Sequence, residues 1–83
     1  MKKDKDQIYN ELVDEISKRF DLSKDKITPN LNFITDVDAD SIDFVELVLE
    51  LEDMYQLEIP DEVAEKLITL QETVDYIYQN QGE

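Results

Sequence analysis

Glycine is almost missing from this chain: the only one is Gly82, next to the last residue. A chain without interior glycine has few ways to make the tight positive-φ turns that connect short strands. The two prolines, Pro29 and Pro60, sit where apolar periodicity breaks off. Together these features predict an all-α fold with few tight turns. Three stretches show apolar residues recurring at spacings of three and four. The first, about Lys5 to Phe20, carries Ile8, Leu12, Val13, Ile16 and Phe20. The second runs from about Ser41 to Tyr55. The last runs from about Leu70 to Asn80, with Leu70, Val74, Ile77 and one of Tyr76 or Tyr78 inward. A short helix, roughly Asp61 to Lys66, follows Pro60, where proline and two acids suit a helix N-terminus. The expectation is a four-helix bundle forming one domain over residues 1–83, with a long loop between the first two helices. That loop, Asp21 to Asp40, holds Leu22, Ile27, Leu31, Phe33, Ile34 and Val37. So much apolar content predicts a segment pinned across the helices, with a turn or 3₁₀ piece inside it.

Composition narrows the chemistry. There is no cysteine and no histidine. Thiolate metal sites, thiol nucleophiles, disulfides and the commonest general base are therefore absent. Independent catalysis is not expected. Charge is divided along the chain: residues 1–35 hold seven acids and seven bases, and residues 36–83 hold fifteen acids against Lys66 alone, so the second part carries the whole net charge of −14. Such a field repels nucleic acid and anionic membrane surfaces and draws in basic partners. No apolar run approaches the length of a membrane span and no apolar segment follows the charged start, so the expected setting is cytoplasmic, without membrane insertion.

Viewed end-on at about 100° per residue, the second helix has two apolar stripes. Phe44, Leu47, Val48, Leu51 and Tyr55 form an ordinary core stripe. Ile42, Val45 and Leu49 form another, edged by Glu46, Glu50 and Asp53 on one side and Glu52 on the other. The second stripe is either covered, by the long loop or by a second copy of the chain, or it is a docking surface in which apolar contact supplies affinity and charge supplies orientation.

Ser41 opens this helix within Asp36-Val37-Asp38-Ala39-Asp40-Ser41-Ile42-Asp43. It suits a helix cap. As a catalytic nucleophile it lacks a base and an orienting group, so no catalytic residue is assigned. As part of a calcium loop it fails as well: Asp36, Asp38 and Asp40 match the first three EF-hand ligands, but Ser41 stands where glycine is required and Leu47 where a bidentate glutamate is required. No metal site is assigned. A hydroxyl modified by another enzyme is the remaining reading.

The run Asp40-Ser41-Ile42-Asp43, followed by Val45-Glu46-Leu47-Val48, resembles the attachment motif of the acyl carrier proteins of bacterial-type dissociated fatty acid synthases. Phe33, Glu58-Ile59-Pro60-Asp61-Glu62, Ala64-Glu65-Lys66 and Val74-Asp75-Tyr76-Ile77 extend the resemblance over essentially the whole chain. The resemblance implies a monomeric four-helix carrier in which Ser41 receives 4′-phosphopantetheine from coenzyme A, by way of a phosphopantetheinyl transferase. The working sulfur then arrives with the cofactor, which accounts for the missing cysteine. It also implies a face for the basic patches of fatty acid synthesis enzymes, at Asp40, Ile42, Asp43, Val45, Glu46, Leu49, Glu52 and Asp53, with Ile59 and Asp61 nearby. An acyl chain would shelter among Phe33, Ile34, Leu47, Leu51, Ile59, Ala64, Leu67 and Tyr76. Three positions depart from the family pattern: Asp38 replaces a usual glycine, Ile42 a usual leucine, and Glu50 a commonly small residue. Two other functions compete: a carrier for another thioester pathway (polyketide, lipid-modification or aminoacyl chemistry), and a noncatalytic acidic interaction or divalent-ion-binding domain.

Overall fold

A computed structural model of the chain describes residues 3–33, 35–37 and 41–81, with Ser41 described by its backbone alone. Helix α1 spans Lys5–Phe20, α2 Ser41–Tyr55, α3 Asp61–Ala64 and α4 Leu70–Asn80, with a single 3₁₀ turn at Lys24–Lys26. The fold is all-α.

Each helix end has a local cause. The carboxylate of Asp4 caps α1 by accepting the Gln7 N–H at 2.8 Å. Helix α1 stops at Asp21, whose left-handed backbone (φ 54°) returns its N–H to the Ser17 carbonyl. Gln56, just past α2, also has a left-handed backbone, at φ 52°, and the Leu57 N–H returns to the Glu52 carbonyl at 3.2 Å, so an aspartate and a glutamine fill positions that glycine would take more easily. Helix α4 opens on a reciprocal capping box: Thr69 accepts the Glu72 N–H and Glu72 accepts the Thr69 N–H. This satisfies two otherwise orphaned donors.

Helix α3 is shorter than its sequence suggests. The expected helix reached Lys66, but α3 ends at Ala64 and Glu65 and Lys66 form a turn. The cause lies across the molecule. Past that turn the Ile68 carbonyl receives the Phe33 N–H at 2.9 Å, and the Leu31 carbonyl receives the Leu70 N–H at 3.0 Å. Asn32 and Thr69 thereby form an isolated antiparallel bridge. A continued helix would have withdrawn these groups from the loop.

One core joins all the elements. Helix α1 contributes Ile8, Leu12 and Ile16; α2 contributes Leu47, Leu51 and Tyr55; α4 contributes Leu70, Val74 and Ile77. The loop contributes Ile27, Leu31, Phe33 and Val37, all buried, so the segment is pinned across the helices as its apolar content predicts. Of the two tyrosines weighed for α4, Tyr76 packs against the core and Tyr78 is exposed.

A run of polar contacts through Gln81, Lys3, Glu11 and Tyr55 closes the bundle. The Gln81 amide accepts the Lys3 backbone N–H at 2.9 Å and donates to the Lys3 carbonyl at 2.7 Å, tying the two ends of the described chain together. The Lys3 ammonium then reaches both oxygens of Glu11 and lies over the Tyr55 ring. The Tyr55 hydroxyl donates to Glu11 at 2.7 Å. Burial, followed by the Glu11 hydrogen bond and charge, drives the phenol pKa far up, so it remains a donor. For Glu11, burial works to raise the carboxyl pKa, but the hydrogen bonds from Tyr55, Lys3 and Gln7 and the Lys3 charge outweigh it and hold the group below its usual value. A carboxyl depressed in the folded state stabilises the fold above its unfolded pKa and loses that contribution as pH falls through the folded value. The stability gap between wild type and Glu11→Gln is therefore expected to be present at neutral pH and to close below about pH 4. Denaturant unfolding across that range checks it, and a gap that does not change with pH would show that Glu11 contributes no charge-linked stability.

Candidate functional site

Ser41 is the first residue of α2. The side chains following it on this helix divide as the two-stripe reading requires. Leu47, Leu51 and Tyr55 are buried and Phe44 and Val48 are partly so. Ile42, Val45 and Leu49 are 67%, 54% and 59% exposed. The loop therefore does not cover the second stripe. Three large apolar side chains on successive turns face outward, among acids.

The acids differ in their engagements. Glu46, Asp53 and Asp61 are exposed, and Asp43 and Glu50 are half-buried. Glu52 is occupied within the molecule: its Oε2 accepts the Ile59 N–H at 2.9 Å. This bond anchors the segment after α2 and gives Glu52 a structural task. Beside it, Leu49, Glu52, Asp53, Gln56, Leu57 and Glu58 line a shallow depression. The Ile59 side chain is buried in the core cluster. Ile59, expected near the partner face and also among the residues sheltering an acyl chain, is thus covered and presents no side chain outward. Asp40 lies outside the described residues.

The residues proposed to shelter an acyl chain form part of the core. Phe33, Leu47, Leu51, Ile59 and Leu67 are buried in one cluster, against which Ala64 and Tyr76 pack. The Phe33 ring stands 6.0 Å from that of Phe44. The Tyr76 hydroxyl donates to the Glu58 carbonyl at 2.9 Å, holding the segment before α3 against α4. Ile34 lies outside the described residues.

Asp36, first in the calcium-like spacing, serves its own turn. Its carboxylate accepts the Asn32 N–H at 3.0 Å. Asp38 and Asp40 lie outside the described residues. Among the described residues no group of three or more His, Cys, Asp or Glu is arranged to hold a metal ion. No helix among them is long and apolar enough to cross a membrane.

One contact at this face escapes sequence reasoning. Arg19, near the end of α1, pairs with Glu46 of α2 at 3.5 Å and with Glu15 on its own helix at 3.1 Å. Arg19 and Glu46 are far apart in sequence, and no local pattern signals the pair.

A small acidic helical bundle whose second helix opens on a serine and carries an outward apolar stripe has the frame of a carrier domain. The family of the phosphopantetheine attachment site matches residues 10–77. The acyl carrier protein of Lactobacillus johnsonii is 56% identical over 77 residues, 93% of this chain and 96% of that protein. The acyl carrier protein of Lactobacillus acidophilus is 49% identical over the same shares of the two chains. A solved structure of the acyl carrier protein from Enterococcus faecalis superposes with a TM-score of 0.83 at 42% identity, covering 98% of this chain and 100% of that one. The chain belongs to the acyl carrier proteins of the phosphopantetheine-attachment family.

Proposed function

We propose that Ser41 carries the 4′-phosphopantetheine arm and that the chain shuttles acyl groups, as thioesters on that arm, among the enzymes of fatty acid synthesis. The Ser41 oxygen attacks the β-phosphorus of coenzyme A. The new Ser–O–P bond forms as the pyrophosphate P–O bond breaks, adenosine 3′,5′-bisphosphate leaves, and the serine proton passes to a base on the transferase. This chain has no histidine to serve as that base. The carrier thus presents a nucleophile and leaves its activation to the partner. It acts as a cytoplasmic monomer and is not itself an enzyme.

The observation that carries this reading is the register of α2. Ser41 opens the helix, and Ile42, Val45 and Leu49 stand exposed in the turns that follow. An enzyme that grips the stripe has the serine at its edge. Asp43, Glu46, Asp53 and Asp61, with Asp40, orient the approach, and the phosphopantetheinyl transferase and the synthase enzymes present the complementary basic patches. Phe33, Leu47, Leu51, Ile59, Ala64, Leu67 and Tyr76, with Ile34, part to admit the acyl chain.

Intact mass after incubation with coenzyme A and a phosphopantetheinyl transferase tests the reading. One added phosphopantetheine is expected; none, with folded protein and several transferases, would return the chain to an acidic interaction module. The docking face has its own test. Glu46→Lys reverses one exposed charge, and kcat/KM for transfer should fall by about tenfold at low salt with helicity unchanged. Unaltered kinetics would remove Glu46 from the face.

A further inference from the structure

The chain has one arginine, Arg19. Its guanidinium lies between two carboxylates, Glu15 at 3.1 Å and Glu46 at 3.5 Å. The side chain is largely covered, and its Nε is buried with no hydrogen-bond partner. Such a group retains donor capacity that its neighbours do not use. Glu46, by contrast, is exposed on the docking face. A cation from α1 therefore sits at the edge of a surface whose other charges are negative.

We propose that Arg19 sets the selectivity of the docking face as an internal counter-ion for Glu46, which a partner's basic side chain must displace. The inference rests on the carrier reading above. The geometry favours release over rupture. The Glu46 contact is the longer and more exposed of the two, so Glu46 can turn outward to a partner while Glu15 retains the guanidinium. A partner with a strong cation opposite Glu46 overcomes the pairing. A weakly basic surface does not, and the pair thus ranks partners by the charge they bring to one position.

The test is a double-mutant cycle on kcat/KM for phosphopantetheinyl transfer, using coenzyme A and a transferase with a basic docking patch. Arg19→Gln should raise kcat/KM about two- to fivefold at low salt, the range of an exposed ion pair. The gain should vanish in the Glu46→Gln background and fade at high salt, where screening removes the competition. Glu15→Gln approaches from the other side: it leaves Arg19 wholly to Glu46 and should slow transfer, again only while Glu46 is present. This second variant decides the matter should Arg19→Gln fail to fold. An equal gain with and without Glu46 would assign the effect to net charge alone and overturn the proposal. Slower transfer in Arg19→Gln would overturn it also, by making Arg19 part of the partner contact. A wild-type chain that accepts no group overturns the carrier reading and this proposal with it, whereas normal loading with no coupling between Arg19 and Glu46 overturns this proposal alone.

Discussion

Ser41→Ala is expected to abolish loading completely while the bundle still folds. The two halves of this result separate a carrier serine from a helix cap. Transfer requires one oxygen nucleophile, and alanine supplies none, so the variant should gain no mass where wild type gains one phosphopantetheine. Stability should barely move. The backbone of residue 41 is already within α2, where alanine is the best helix former and serine is worse by a few tenths of a kcal/mol. A serine that capped the helix would instead cost about 1 kcal/mol on replacement, or about 4–8 °C in the melting midpoint of a domain this size. A midpoint within about 3 °C of wild type is therefore the expected outcome. A larger drop would make the hydroxyl structural. Mass still added to Ser41→Ala would move the attachment elsewhere; Ser17 is a poor substitute, because its hydroxyl already donates to the Leu22 carbonyl at 2.6 Å.

The helices were legible in the sequence because each depends on local spacing. The bounds of α1, α2 and α4 follow from apolar recurrence and from the residues that interrupt it. The capping box of α4 was also there to be read, since Thr69-Leu70-Gln71-Glu72 has the Thr-x-x-Glu spacing. The length of α3 was not. Its end is determined by the Phe33 N–H and Ile68 carbonyl, whose pairing joins distant segments. The same holds for Gln81, a polar residue near the end of the chain that is buried because the Lys3 backbone faces it.

At the site, periodicity identified Ile42, Val45 and Leu49 as a stripe but could not tell a covered face from an open one. Whether the long loop lay over them depended on where Ile27, Leu31, Phe33 and Val37 found their burial. They found it in the core, and the stripe stayed outside. Nor could spacing distinguish among the acids. Glu46 and Glu52 both edge the stripe, one on each side, yet one pairs with Arg19 and the other holds the Ile59 backbone. A hydrogen bond to the chain's own backbone occupies Glu52 and a long-range ion pair gives Glu46 a counter-ion, and neither leaves a trace in the order of residues.

Leu51→Ala and Leu12→Ala are expected to destabilise the apo protein by similar amounts and to respond differently to an acyl chain. Both leucines are almost wholly buried. Each truncation removes apolar contact and leaves a cavity, at a cost of about 2–5 kcal/mol. A native domain has only about 5–15 kcal/mol in total, so each midpoint should fall by more than about 10 °C. Both leucines lie in one core but on different helices. Leu51 is on α2 and belongs, with Phe33, Leu47, Ile59 and Leu67, to the set proposed to shelter acyl groups; Leu12 is on α1 and outside that set. An apolar cavity is dry and accepts an apolar guest of matching size. A medium-length acyl chain tethered to Ser41 should therefore enter the space left by Leu51 and restore at least half of the lost midpoint, because a ligand that binds only the native state shifts unfolding in its favour. The same chain should do little for Leu12→Ala. Melting curves of both variants with the bare arm and with the acylated arm make the comparison. Equal recovery in the two would mean that acylation stabilises the bundle without choosing a cavity. No recovery in Leu51→Ala would place the acyl chain outside the α2 core, and the residues grouped with Leu51 would then be packing alone.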